Sequence, residues 1–425
     1  MERFDYKDMN GLLADIRERQ LDIPCCEDSS ILRTPYDSGT VRMKNRILAQ
    51  PVEGFDANDD GSPSVRTFSR YTELARGGSG CLWLESTSVD HEGRSNRKQL
   101  WITKDNWQEF RRPTEEIRKA AEGDIYLVIQ LTHSGRYSNP EGTPTPIVAF
   151  HSEAIPKENE RIITDDQLDE LKDHYIEAVR LARMAGFDAV DIRACHGYLL
   201  NELFAAYDRP GRYGGSFENR VRLTVDICEA AAREGITVGA RINMFDGLPY
   251  PYGWGCVRSG EIRMDLEEPL KLIDILYEKG VRIFNITNGI GAYPPFMIRP
   301  YDSGGPEPSE HQLCGIERMQ VCAREAKKHA PEAAVVVSGL TWLREYSPYV
   351  AAGGIKEGWY DLAGFGRQSI AYPGFAKDIL SDGTLGRQHF CRTCCGCTNL
   401  IKVKREELEC VFRDQLAKGG SGNEL

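Results

Sequence analysis

Three residues near the middle of the chain are of types and at spacings that could do chemistry together. In GFDAVDIRACHGYLLNELFAAYDRPGRYGGSFENR, residues 186 to 220, Arg193, His196 and Tyr198 follow directly on a β-forming run. Two donors three residues apart at a strand end can converge on one acceptor oxygen, and a tyrosine two residues later offers a phenolic proton from another direction. That is a layout for polarising a carbonyl and protonating the carbon beside it. A histidine or tyrosine after a strand is usually structural, so the reading rests on the three together. A second constellation lies near the end of the chain, in HFCRTCCGCTNLIKVKREELECVFRD. Cys391, Cys394 and Cys397 give CxxCxxC, and Cys410 adds a fourth thiol, with Cys395 left as a spare. Four thiolates in this pattern suit a [4Fe-4S] cluster, a four-cysteine zinc site or free thiols, and the spacing does not choose among them.

Side chains of this kind need rigid elements behind them. Short β-rich runs recur at NRILAQ (45 to 50), CLWLES (81 to 86), IYLVIQL (125 to 131), FDAVDIR (187 to 193), TVGARIN (237 to 243), VRIFNIT (281 to 287), AAVVVSG (333 to 339) and DLAGFGR (361 to 367). Between them lie amphipathic stretches such as LDELKDHYIEAVRLARMAGF, with apolar residues spaced by three and four. Near-continuous apolar strands alternating with helices imply a parallel sheet buried on both faces. Eight such units predict an α/β fold of the closed (β/α)8 barrel type. An open doubly wound sheet is the rival, but no GxGxxG follows an early strand. Residues 1 to 40 read as an N-terminal extension, 41 to 381 as the barrel and 382 to 425 as a cysteine-rich segment ending in a flexible KGGSGNEL. A barrel places its site at the carboxyl ends of its strands. There Ser338 and Gly339 close the seventh strand and Gly366 and Arg367 the eighth, a pattern that suits a phosphate cradle as well as two ordinary turns.

Composition narrows the function classes. The chain has 64 acidic and 53 basic residues, a formal net charge of −11, and its cations are scattered, which disfavours nucleic acid as a partner. No apolar run is long enough for a bilayer span, and the charged N-terminus lacks a secretion signal, so the expectation is a cytoplasmic protein with no membrane partner. An odd total of 13 cysteines argues against a disulfide framework.

The HGYLLNEL run followed by RYGGSFENR resembles the Old Yellow Enzyme family of flavin enzymes. The likeness is closest to the branch that includes 2,4-dienoyl-CoA reductase and trimethylamine dehydrogenase, and it extends from about residue 40 to residue 380. The resemblance implies FMN in a TIM barrel. It implies that Arg193 and His196 bind the substrate carbonyl and that Tyr198 is the proton donor. It further implies flavin contacts from Pro51, Val52 and Glu53 after the first strand and from Ser86 at the end of the second. Gln130 would meet the pyrimidine side of the ring and Arg241 its N1 and C2 carbonyl, where a cation favours the reduced anion. Arg193 departs from the pattern, since many relatives have histidine there. A guanidinium can grip a carboxylate in a fork, or it can simply pair with Asp191 or another acid.

The same branch carries an iron-sulfur cluster near the cysteine-rich segment, usually with CxxCxxxC spacing. Matching that register from Cys394 would put Ile401 at a ligand position, so Cys391, Cys394, Cys397 and Cys410 are preferred. Larger relatives add nucleotide-binding domains that collect electrons. This sequence shows none, so the expectation is NAD(P)H acting directly or a separate electron-donor protein. Self-association as a homo-oligomer is left open.

The predicted activity is hydride transfer from reduced FMN to the C=C bond of a small-molecule α,β-unsaturated carbonyl or carboxylate. The rivals are an amine dehydrogenase or demethylase of the trimethylamine dehydrogenase type and a non-catalytic electron-transfer module. The loop residues Tyr250, Tyr252, Trp254 and Tyr293 are candidates for stacking on a planar substrate, or for packing on the rim.

Overall fold

The computed structural model describes residues 3–291, 293 and 295–413 of the chain. The KGGSGNEL ending expected to be flexible lies outside them. All eight expected strands form: β1 (Ile47–Ala49), β2 (Cys81–Ser88), β3 (Tyr126–Thr132), β4 (Ala189–Ala194), β5 (Thr237–Asn243), β6 (Val281–Thr287), β7 (Ala334–Val337) and β8 (Leu362–Phe365). Each pairs in parallel with its sequence neighbours, and β8 pairs with β1 to close the ring.

The period of two along each strand divides the core. Leu48, Trp83, Val128, Ile283 and Val336 point inward and form one apolar cluster. Their neighbours Ile47, Leu82, Leu127 and Phe284 point outward into the larger cluster shared with the helices. A hairpin of Tyr36–Asp37 with Arg42–Met43 sends Tyr36, Val41 and Met43 into the inner cluster and so closes the amino end of the barrel. Towards the carboxyl end the interior turns polar and is largely paired, although Asp191 Oδ1 has no partner. Gln50 and Asn285 exchange two hydrogen bonds (3.1 and 2.8 Å), while Trp83 Nε1 and Gln130 Nε2 both donate to Asp191 (2.9 and 2.7 Å). Each such group would cost about 1–3 kcal/mol if left unpaired, so the bottom of the barrel is a packed plug and the top an ordered polar floor.

The helices carry readable start signals. Asp165–Met184 begins with a capping box between Thr164 and Gln167, and Phe217–Ala232 starts on Ser216, whose hydroxyl accepts from the Asn219 amide at 3.3 Å. Leu168, Leu171, Tyr175, Val179 and Ala182 fall at spacings of three and four and bury one face. The extension at residues 1 to 40 is not separate from the barrel's packing: helix Met9–Glu18 buries Leu12 and Ile16 in the main core, and Phe4 meets Trp342 edge to face at 5.2 Å. Beyond β8 the chain returns over the carboxyl end. The Leu408 amide donates to Gly54 O at 2.7 Å, Arg66 pairs with Glu407 at 2.7 Å, and Arg413 pairs with Glu73. No helix among the described residues is long and apolar enough to cross a membrane.

Candidate active site

A cavity of about 420 Å³ opens at the carboxyl end of the barrel, within the usual range for small-molecule sites. The β4 end supplies one wall. His196 and Gly197 both adopt positive φ (62° and 74°), a conformation that needs support at a residue bearing a side chain. The support is explicit. Asn243, the last residue of β5, accepts from the His196 amide at 3.3 Å, and Asn201 accepts from the Gly197 amide at 2.6 Å. Both asparagines donate in turn to Asp246, at 2.6 and 3.2 Å. Glu202 receives the Arg136 guanidinium and the Ala149 amide. The asparagine and glutamate of HGYLLNEL are thus the brackets of the turn, while its histidine and tyrosine face the cavity.

Arg193 and Tyr198 form one unit. The guanidinium carbon lies 3.4 Å from the centre of the phenol ring, one of its nitrogens donates to Ser86 Oγ, and the same nitrogen stands 3.7 Å from Glu53. The Tyr198 hydroxyl donates to Glu53 Oε1 at 3.4 Å. Burial opposes the Arg193 charge, but Tyr198, Cys195 and Glu53 outweigh it and its pKa is raised. Burial also raises the Tyr198 phenol, which keeps its proton, and raises Glu53 against the pull of Arg193. His196 is driven the other way, first by burial and then by Arg241 and Arg193, so its imidazole stays neutral; its Nε2 lies 2.9 Å from Thr287 Oγ1. Of the acids Arg193 could pair with, Asp191 is taken by Trp83 and Gln130, and it is Glu53 that stands within ion-pair distance at 3.7 Å.

The remaining predicted positions separate into two groups. Pro51, Val52, Glu53, Ser86 and Arg241 line the cavity, as do Ser338, Gly339, Gly366 and Arg367. Gln130 does not: it is buried in the floor on Asp191, and Gln50 lines the cavity instead. The loop aromatics are also elsewhere. Trp254 is fully buried against Phe204, with its indole N–H on Asn243 O; Tyr250 packs on Tyr207, Tyr252 donates to Glu153, and Tyr293 is half exposed. Tyr137 and Tyr198 are the tyrosines that line the space.

The sequence reading missed Arg299, which stands in the FMIRP run after β6, as well as Lys157, Lys402 and Arg405. Only the basic KVKR run beside the cysteines hinted at the last two. Arg299 and Arg367 face each other across one end of the cavity. Burial, then Arg367, lowers the Arg299 pKa, and neither Arg299 Nε nor Arg367 Nη1 has a partner. Arg241 Nε is likewise buried and unsatisfied. Buried guanidinium nitrogens in a native fold are normally paired, yet five arginines that line the cavity each keep one unpartnered nitrogen, Arg136 Nε and Arg193 Nε besides those three, with Gly339 at φ 86° also on the lining. A flat ring with an anionic tail fits that donor set.

Cys397 lines the same cavity, and the four selected cysteines are neighbours. Cys391 lies within electrostatic reach of Cys397 and Cys410, and Cys410 within reach of Cys397 and Cys394. Cys395 packs in an apolar cluster with Phe245, Phe296 and Tyr301, while also lying within electrostatic reach of Cys397 and Arg299. All are free thiols, and among the described residues no three His, Cys, Asp or Glu side chains are gathered closely enough to hold a metal ion.

Comparison with known proteins agrees with the geometry. Residues 32–250 match the NADH:flavin oxidoreductase / NADH oxidase family. The chain is 28% identical over 371 residues to an NADH oxidase of Thermoanaerobacter brockii, covering 84% of this chain and 51% of that protein. It shares its fold with a 2-naphthoyl-CoA reductase solved with 2-naphthoyl-CoA (TM-score 0.75, 19% identity, 92% of this chain and 58% of the other). It shares it also with histamine dehydrogenase from Rhizobium sp. 4-9 (TM-score 0.67, 19% identity, 90% and 52%). The chain therefore spans about half the length of these relatives. With more than half of its residues matching one family, and with eight parallel strands bringing the matched strand ends around a single cavity, the chain belongs to the NADH:flavin oxidoreductase / NADH oxidase family.

Proposed function

We propose that the protein is an FMN-dependent ene-reductase acting on an α,β-unsaturated carbonyl or carboxylate compound. The observation that carries this reading is the Arg193, His196 and Tyr198 wall, which faces a cavity also lined by guanidinium groups with unpartnered nitrogens. Arg241, Arg299 and Arg367 would hold FMN, with Gly339 and Gly366 allowing close approach of the phosphate. When bound, the reduced flavin supplies a hydride, and NAD(P)H or a separate redox protein replenishes it. Arg193 and His196 hold the substrate oxygen and stabilise the negative charge that develops on it. Tyr198 delivers a proton to the α-carbon, and Glu53, which accepts from its hydroxyl, orients it. Cations on the reacting face disfavour the rival in which a cationic amine is oxidised there.

The reading extends to a [4Fe-4S] cluster on Cys391, Cys394, Cys397 and Cys410, supported by their spacing along the chain. No step above depends on it. Rapid mixing of the reduced holoenzyme with an enone, and of the oxidised holoenzyme with an amine, tests the assignment. Reoxidation by the enone is expected; reduction by the amine with no response to enones would overturn it.

A further inference from the structure

Beyond Tyr198 the cavity continues outward past residues that the proposed chemistry does not use. The Tyr137 ring stands 5.3 Å from the Tyr198 ring, and the Lys157 ammonium lies 5.7 Å from the centre of Tyr137. From the opposite side the returning C-terminal segment brings in Lys402, whose ammonium donates to Gly291 O at 2.9 Å, and Arg405. The three cations come from two segments far apart in sequence and line one space. Among the described residues none of them forms an ion pair with a carboxylate. Glu53 lies within electrostatic reach of Lys402 but already serves Arg193 and Tyr198. Arg136, also on this wall, is neutralised by Glu202.

An isolated surface lysine needs no partner beyond water. Three converging cations in a chain with 64 acidic and 53 basic residues are a different case. Like charges gathered in a recess repel one another, and an anion placed among them relieves that repulsion. The crowding of protein around Lys402, and then Arg299, Arg193 and Arg405, pulls its pKa down to about 7, and Arg405 and Arg136 likewise act on Lys157.

We propose that the mouth of the cavity is an anion subsite in which Lys157, Lys402 and Arg405 bind a carboxylate or phosphate carried by the substrate at the end remote from its reacting carbonyl. The proposal rests on the ene-reductase reading for the position of that carbonyl, and it adds the substrate class. Tyr198 and Tyr137 form an aromatic wall between the two ends, so the substrate is elongated, flat in its middle and negatively charged at its tail.

The test compares three probes on the flavin-loaded full chain: 4-phenylbut-3-en-2-one, its para-carboxylate and its para-phosphate ester. Binding is read by calorimetry, which does not require turnover, and reduction by reoxidation of the reduced flavin. At least one anionic probe is expected to bind on the order of tenfold more tightly than the neutral one, with the preference shrinking at high salt. Whichever anion binds more tightly distinguishes a carboxylate tail from a phosphate tail. The preference is expected to vanish in the K157Q/K402Q/R405Q variant and to fall by roughly twofold to threefold in the exposed single variant Lys157→Gln. Equal binding of all three probes by the wild type, or a preference that survives in the triple variant, would overturn the subsite. Preferential anion binding with no reoxidation by any probe would leave the subsite standing and sink the ene-reductase reading.

Discussion

The two sides of the cavity are built in opposite ways. The β4 side is rigid: Arg193 and Tyr198 are nearly buried, and the turn that carries His196 is clamped by Asn201, Asn243 and Asp246. The C-terminal side is a tethered strap. Residues 402–407 are exposed, and their ties to the barrel are the Leu408 amide on Gly54, the Arg66 pair with Glu407 and the Lys402 bond to Gly291. A reacting group has to be held within a fraction of an ångström, which takes buried hydrogen bonds. A charged tail can be held by solvated cations on a looser segment, since a monopole field varies slowly with position.

Breaking the rigid side should have the largest effect. Tyr198→Phe is expected to slow reoxidation of reduced flavin by an enone by on the order of 100-fold or more, with flavin content unchanged. Undiminished reoxidation would remove Tyr198 as the proton donor. Next comes the strap's chemistry: Cys394→Ser should abolish iron and acid-labile sulfide in protein purified without oxygen, whereas Cys395→Ser should retain them, because Cys395 packs into an apolar cluster. Equal iron in both variants would discard the chosen four ligands.

Asn201→Ala strands the Gly197 amide and one acceptor site on Asp246, and should cost about 2 kcal/mol in urea unfolding. A smaller effect separates the two sides by pH. The His196 pKa is depressed in the fold, so below the usual value near 6.5 the unfolded chain binds a proton that the folded chain refuses. Wild-type stability should fall as pH drops from 6.5, and His196→Asn should fall less steeply, as measured by Tm against pH. Parallel curves would mean that the imidazole is not kept neutral. The smallest change is expected on the strap: Arg66→Ala removes an exposed pair with Glu407 and should cost below about 1 kcal/mol, while speeding proteolytic cleavage near residue 405. A large loss of global stability would show that the strap is integral to the barrel.

The eight strands were legible because barrel strands are apolar on both faces and are punctuated by turn residues, and every expected run forms one. Arg193, His196 and Tyr198 were legible because three polar residues at one strand end have little structural reason to be there. Gln130 misled because strand position alone does not say how far up the barrel a side chain sits. Its side chain is spent on Asp191, and the Gln50 side of the polar floor lines the cavity instead. The loop aromatics misled in a similar way, since aromatic residues in loops find partners on the outer packing as readily as over a cavity.

The sequence by itself determined the barrel, the placing of Arg193, His196 and Tyr198 at one strand end and the set of thiols, since periodicity, strand-end polarity and cysteine spacing are local properties of the chain. The tertiary structure alone decided that Glu53 serves Tyr198, that Arg299 faces Arg367, and that Lys157 meets Lys402 and Arg405. Those meetings join residues distant in sequence, and their energies come from burial and charge in a shared cavity, which no stretch of sequence contains.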